Sequence, residues 1–309
     1  MRITEYLQTQ GLNDDDLFLT DGAGGTKALT FATLAALLKN KNEIKTPSEF
    51  YDWLDNIGIP VEVRKTIYRG KNLGNTLTKE QAKSIADGSF KGLFLGDYWN
   101  GPKIDERDGA TSNNTGMYAI YDFDYWYRKG NYGEDVRNHH LTIFPTNYVW
   151  IMTNLNVTNT SNGYISLDVH TRLQSTFPKI LSESFLQDDD ILTRPTNLSN
   201  SASSSKATSS ILVTDVKAVL PTICMFFDGA RPNEYDRGAD MEKLALISID
   251  GYAYSRDSGF NATIFRDIAN TTGLYTLNGD GLRFAIFSLT STNMAIRPVF
   301  GITGEATAS

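Results

Sequence analysis

Apolar positions along this chain follow two rhythms. Between residues 46 and 58, Phe50, Trp53, Leu54 and Ile57 recur at spacings of three and four, the period of a helix with one buried stripe. Thr46-Pro47-Ser48-Glu49 gives that helix a start signal and Gly58 a stop. A second helix is predicted from Thr78, with Glu80, Gln81 and Ala82 in its first turn, Ile85 facing inward and Gly88 at its end. From about Gly92 the rhythm changes to short apolar runs between Asn-, Gly- and Asp-rich turns, which predicts strands. The runs fall at residues 117–121, 141–144, 148–151, 245–249, 284–287 and 296–300. Thr171 to Ser184 reads as a helix among them, and Leu198 to Ser210, biased to Ser and Ala, as a loop.

The front of the chain has its own pattern. Leu17-Phe18-Leu19-Thr20 and Lys27-Ala28-Leu29 read as two strands around the glycine turn from Asp21 to Thr26, followed by a helix from Phe31 to Leu38 capped by Thr30. A hairpin with one helix is too small to be stable alone, so it is expected to dock on a neighbouring copy or a larger assembly. Leu17, Phe18, Leu19, Leu29 and Phe31 are the residues expected to make that attachment. The chain is therefore read as α+β in three parts: an N-terminal attachment unit (1–40), a helical connecting segment (41–91) and a domain with a core antiparallel sheet and long loops (92–309).

Composition narrows the function classes. With 309 residues and 40% hydrophobics, the chain can build a core without staples. Its net charge of −7, and 29 Lys and Arg with no run among them, exclude a phosphate-binding stripe, so no nucleic-acid partner is expected. Cys224 cannot form an internal disulfide, and its neighbours Ile223, Met225, Phe226 and Phe227 predict a buried thiol. Met1 to Tyr6 lacks the apolar core of a signal peptide, and no apolar run approaches the ~18 residues of a membrane span, so no membrane insertion is expected. Sequons such as Asn156-Val157-Thr158 arise by chance in a chain this rich in Asn, Ser and Thr.

Catalytic chemistry finds little support. Gly22-Ala23-Gly24-Gly25-Thr26-Lys27 has Thr before Lys and a strand after it, the reverse of a phosphate loop. The adjacent His139 and His140 point to different faces of either a strand or a helix, which disfavours a shared metal. His170 stands alone, and the acidic runs Asp122-Phe123-Asp124 and Asp188-Asp189-Asp190 lack the alternation of a calcium loop and read as turns or caps. No Gly-x-Ser-x-Gly elbow and no Cys–His pairing stands out, while paired carboxylates for glycoside hydrolysis stay open because their separation is spatial. No catalytic residue, cofactor or metal is assigned. Among the aromatics, Trp99 and Trp126 are read as core, and Tyr252, Tyr254, Arg256 and Asp257 as a candidate ligand-binding patch.

Several stretches carry a resemblance. They are Tyr68-Arg69-Gly70-Lys71-Asn72-Leu73-Gly74, then Thr78, Gln81, Ile85, Gly88-Ser89-Phe90, Leu93 and Gly96-Asp97-Tyr98-Trp99. Asp122-Phe123-Asp124-Tyr125-Trp126 and Ile296-Arg297-Pro298-Val299-Phe300 complete the set. Over roughly residues 65 to 303 the chain resembles tailed-phage and prophage virion proteins of Gram-positive hosts. Their C-terminal domains are similar to the C-type-lectin-like fold, in the branch that includes formylglycine-generating enzymes and phage tropism determinants. Asp14 to Lys27 likewise looks like the attachment segments that begin phage fibre and head-fibre proteins. Relatives carry an aromatic-Trp-Leu-Arg-Asp element where this chain has Tyr252-Ala253-Tyr254-Ser255-Arg256-Asp257, keeping the Arg and Asp but losing the Trp. The enzyme branch depends on a cysteine pair that this chain lacks. The resemblance implies a non-enzymatic virion protein, a head or tail fibre, with capsid or tail proteins and a host-surface glycan as partners and a homotrimer as its assembly. A capsid decoration protein with a stabilising role and a polysaccharide depolymerase are the alternatives.

Overall fold

The computed structural model describes residues 17–20, 27–30, 47–106, 110–129, 136–227, 242–250, 263–277, 284–292 and 294–308. The chain divides into two compact units, Met1–Arg64 and Lys65–Ser309. In the first, β1 (Leu17–Thr20) and β2 (Lys27–Thr30) pair antiparallel, Leu17 opposite Thr30. Lys27 opens a strand, as the glycine-turn reading required. The predicted helix at Phe31–Leu38 lies outside the described residues. Helix α1 (Pro47–Ile57) follows, with Phe50 and Trp53 stacked at 6.0 Å, and Arg64 at the end of α2 (Val61–Arg64) pairs with Asp55 at 2.6 Å.

The larger unit begins with the glycine-rich stretch at residues 68–74. Tyr68 and Asn72 form parallel bridges to Leu95 and Tyr98, so this stretch runs as an extra edge beside the chain that enters β3 (Tyr98–Asp105). Asp97 pins it. Its buried carboxylate accepts Arg69 Nε (2.9 Å) and Nη2 (2.5 Å) and the amides of Lys71 and Phe94 (2.9 Å each). Burial pushes the Asp97 carboxyl up despite the lowering pull of Arg69, so the pair specifies geometry more than it adds stability. Helix α3 (Lys79–Ala86) starts where Thr78 predicted and is closed by a capping box, the Thr78 and Gln81 side chains each bonded to the other's amide. Thr78→Ala is expected to lower stability by about 1 kcal/mol in urea unfolding. The helix belongs to the larger unit, where it packs on α6 (Glu305–Ala308).

The core is a seven-stranded open sheet in the order β13-β6-β3-β4-β5-β14-β9, giving the mixed α/β class with a mostly sheet core. Its strands are β3, β4 (Ala110–Phe123), β5 (Leu141–Pro145), β6 (Trp150–Met152), β9 (Ala218–Val219), β13 (Met294–Ile296) and β14 (Val299–Ile302). Among the described strand pairs of this sheet, β3–β6 is parallel and the others are antiparallel. Helix α4 (Asp168–Ser184), three residues longer at its start than predicted, packs against β3 and β9. Trp150, Phe177, Phe300, Tyr118 and Phe185 join sheet and helix through ring contacts of 5.4–6.1 Å. Trp99, Trp126 and Cys224 are buried, as expected.

Three predicted elements differ. Residues 245–249 form helix α5 (Ala245–Asp250), not a strand: Asp122 Oδ2 accepts the Ala245 amide at 2.9 Å and so caps the first turn. The Ser- and Ala-rich stretch is an antiparallel ribbon, β7 (Arg194–Ala202) with β8 (Ala207–Val216), turning at Ser203–Lys206. The single run predicted at 296–300 is cut by Arg297-Pro298 into β13 and β14, since proline cannot donate to a ladder. A three-stranded sheet of β10 (Thr263–Asn270), β11 (Gly273–Leu277) and β12 (Phe284–Ser288) completes the unit.

Candidate functional site

Tyr252, Tyr254, Arg256 and Asp257, the expected ligand-binding patch, lie outside the described residues, as does Phe31. Leu17, Phe18 and Leu19 fall in β1 and Leu29 in β2, so four of the five expected attachment residues share one hairpin. Tyr121, Tyr125 and Trp126 are buried, and the aromatic-rich run around them belongs to the core.

The histidines and acidic runs form structural knots. Asp124, at φ +53°, bonds His139 Nδ1 through Oδ2 (2.8 Å) and the His140 amide through Oδ1 (3.0 Å). His140 Nδ1 donates to the Asn138 carbonyl (2.9 Å), which leaves Nε2 to accept the Trp126 amide (3.1 Å). Both ring nitrogens are thereby committed in the neutral form, and complete burial lowers the His140 pKa to about 3. Burial also lowers His170 to about 4 and pushes the Asp122 and Asp124 carboxyls up. His139 stacks on Tyr127 at 4.4 Å, and Asp124 is its one hydrogen-bond partner among the described residues. Asp190 caps α6 by accepting the Thr307 amide at 2.9 Å. Among the described residues no three His, Cys, Asp or Glu side chains gather as a metal site, and no helix is long and apolar enough to cross a membrane.

Open concavities among the described residues include two of similar size. One, of about 360 Å³, is lined by charges of both signs, Arg137, Asp189, Lys217 and Glu305, beside Asn138. The other, of about 320 Å³, is the loop from Asn156 to Asp168 that leads into α4. The buried Asn156 amide organises this loop, donating to the Thr158 carbonyl (3.0 Å), the Thr158 hydroxyl (3.2 Å) and the Thr160 carbonyl (3.0 Å). Its Oδ1 accepts the Asp168 amide at 3.2 Å, and Asp168 Oδ2 accepts the Val157 amide at 2.7 Å. The loop is braced from outside as well. The Ser161 amide donates to Thr271 in the β10–β11 turn, Ser288 Oγ donates to Asn159 Oδ1, and the Tyr164 amide donates to Ser199 Oγ. Gly163 sits at φ +99°, where a Cβ would lie 2.5 Å from the Ser199 carbonyl oxygen. Only glycine permits that approach of loop to ribbon.

The resulting surface is cross-braced, hydroxyl-rich and shallow, with Val157 71% exposed beside the cavity. It suits recognition of a polyhydroxyl ligand through many directional hydrogen bonds. The sequence offered only a chance sequon here. Asn156 acts instead as a buried hub: its side chain bonds Thr158, Thr160 and Asp168 within the loop, while its backbone amide donates to the distant Leu289 carbonyl at 3.0 Å.

Comparison with known proteins returns no matching family model, no matching curated protein and no matching solved structure.

Proposed function

We propose that this chain is a structural protein of a phage virion, a head or tail fibre, that attaches through its N-terminal hairpin and binds host-surface or environmental glycans with its larger unit. The larger unit is read as a C-type-lectin-like domain, and binding proceeds without a chemical step. The observation that carries the glycan reading is the Asn156–Asp168 loop, whose polar surface is held rigid from three sides on a sheet scaffold. Its shallowness fits weak single sites, which fibres combine by avidity when copies assemble about an axis, here as a homotrimer.

A glycan array probed with the full-length protein tests the reading, with reducing ends assayed in parallel on the same glycans. The expected result is saturable binding to a subset of glycans with no released ends. Turnover identifies a depolymerase, and a blank array together with particles that burst more readily without the protein identifies a decoration role.

A further inference from the structure

From the composition and bracing of the Asn156–Asp168 cavity, we propose that it is a subsite for an uncharged pyranose ring and discriminates against uronic and sulfated sugars; this rests on the glycan-binding reading above. Four features carry the assignment. First, the lining carries the hydroxyls of Thr158, Thr160, Ser161 and Ser166 and the Asn162 side-chain amide, groups of types that donate and accept, of which Thr158 and Ser166 spend their protons on the Thr160 and Gly163 carbonyls and keep only acceptor capacity. A sugar hydroxyl has the same dual character, and a ring carrying several of them is matched by such a set.

Second, Ser161 is 5% exposed, lines the cavity, and its hydroxyl oxygen has no hydrogen-bond partner among the described residues. Buried hydroxyls are ordinarily satisfied, and this one, covered as it stands, pairs with a ligand hydroxyl once the Ser161 side chain turns towards the cavity it lines. Third, Asp168 uses Oδ2 on the Val157 amide and leaves Oδ1 without a partner among the described residues. A carboxylate oxygen at the cavity wall accepts a sugar hydroxyl well. No Lys or Arg lines the cavity, so a ligand carboxylate or sulfate would meet Asp168 with no cation to offset it. The first turn of α4, which would otherwise attract an anion, is already occupied by Asp168 itself. Fourth, Val157 provides an exposed apolar face beside these polar groups, suited to the C–H face of a pyranose. The mixed-charge groove at Arg137 and Lys217 has the opposite character and provides an internal contrast.

The test is titration of the full-length protein, followed by backbone NMR, with methyl α-glucopyranoside, methyl N-acetylglucosaminide and glucuronate as probes. Wild type is expected to bind at least one neutral glycoside with shifts centred on residues 156–168, and glucuronate at least tenfold more weakly. Val157→Asp, at an exposed position, should weaken the neutral glycoside at least tenfold. Ser161→Ala, which removes only an unpaired hydroxyl, should weaken it about fivefold with unchanged thermal stability. Binding that both variants retain at full strength overturns this subsite and leaves the glycan reading standing. Equal or tighter binding of glucuronate overturns the selectivity. A protein that binds none of these probes and no glycan on the array overturns both proposals.

Discussion

Asp97→Ala is expected to destabilise the larger unit by about 3–5 kcal/mol, read as a lowered urea midpoint with an unchanged slope. The substitution removes one partner of a nearly buried ion pair, with Arg69 only 11% exposed and Asp97 fully covered. It also strips the acceptor from the amides of Lys71 and Phe94. The cost comes from what is left behind, an uncompensated guanidinium and two orphaned donors, rather than from the strength of the pair. Arg69→Met combined with Asp97→Leu should therefore recover part of the loss, since it removes the stranded charge but not the orphaned amides. A single-variant loss below about 1 kcal/mol would show that the 68–74 edge is not pinned through this carboxylate.

Acidification is expected to weaken the fold through its buried imidazoles. Histidine titrates near 6.5 when free, whereas His140 titrates at about 3 and His170 at about 4 in the folded chain. A lowered folded value means that the contribution is whole above pH 6.5 and drains away as pH falls towards 3. The slope is about 1.4 kcal/mol per pH unit for each group, roughly 3 kcal/mol for His140 by pH 4. Asp97, Asp122 and Asp124, raised by burial, act in the opposite sense: their protonation on acidification favours the folded chain. Comparison with His140→Gln isolates the imidazole. The stability gap between wild type and variant should shrink by about 3 kcal/mol from pH 7 to pH 4, and a gap independent of pH would refute the neutral, buried assignment.

These two positions also show what the sequence made legible. Local signals came through: the helix start at Thr78, the strand pair on either side of residues 21–26, and the apolar surroundings of Cys224 all produced what they predicted. Elements decided at long range did not. The apolar run at 245–249 is too short for periodicity to separate strand from helix, and its helix is started by Asp122, 123 residues earlier. The β7–β8 ribbon was hidden because buried polar residues, Thr196 and Ser199 among them, occupy positions where apolar residues would have revealed the alternation. The Asn156–Asp168 cavity was illegible for the same reason. Its residue types are those of any polar loop, and only the external bracing by Thr271, Ser288 and Ser199 turns them into a fixed surface.

That fixed surface is the centre of the account, and hydrogen–deuterium exchange on the full-length protein addresses it directly. Exchange is compared with and without saturating neutral oligosaccharide from the array hits. The account predicts slow exchange across residues 155–169 in the free protein and added protection confined to that segment and its braces at Thr271 and Ser288. Fast exchange in the free loop, or ligand protection located elsewhere in the chain, would contradict it.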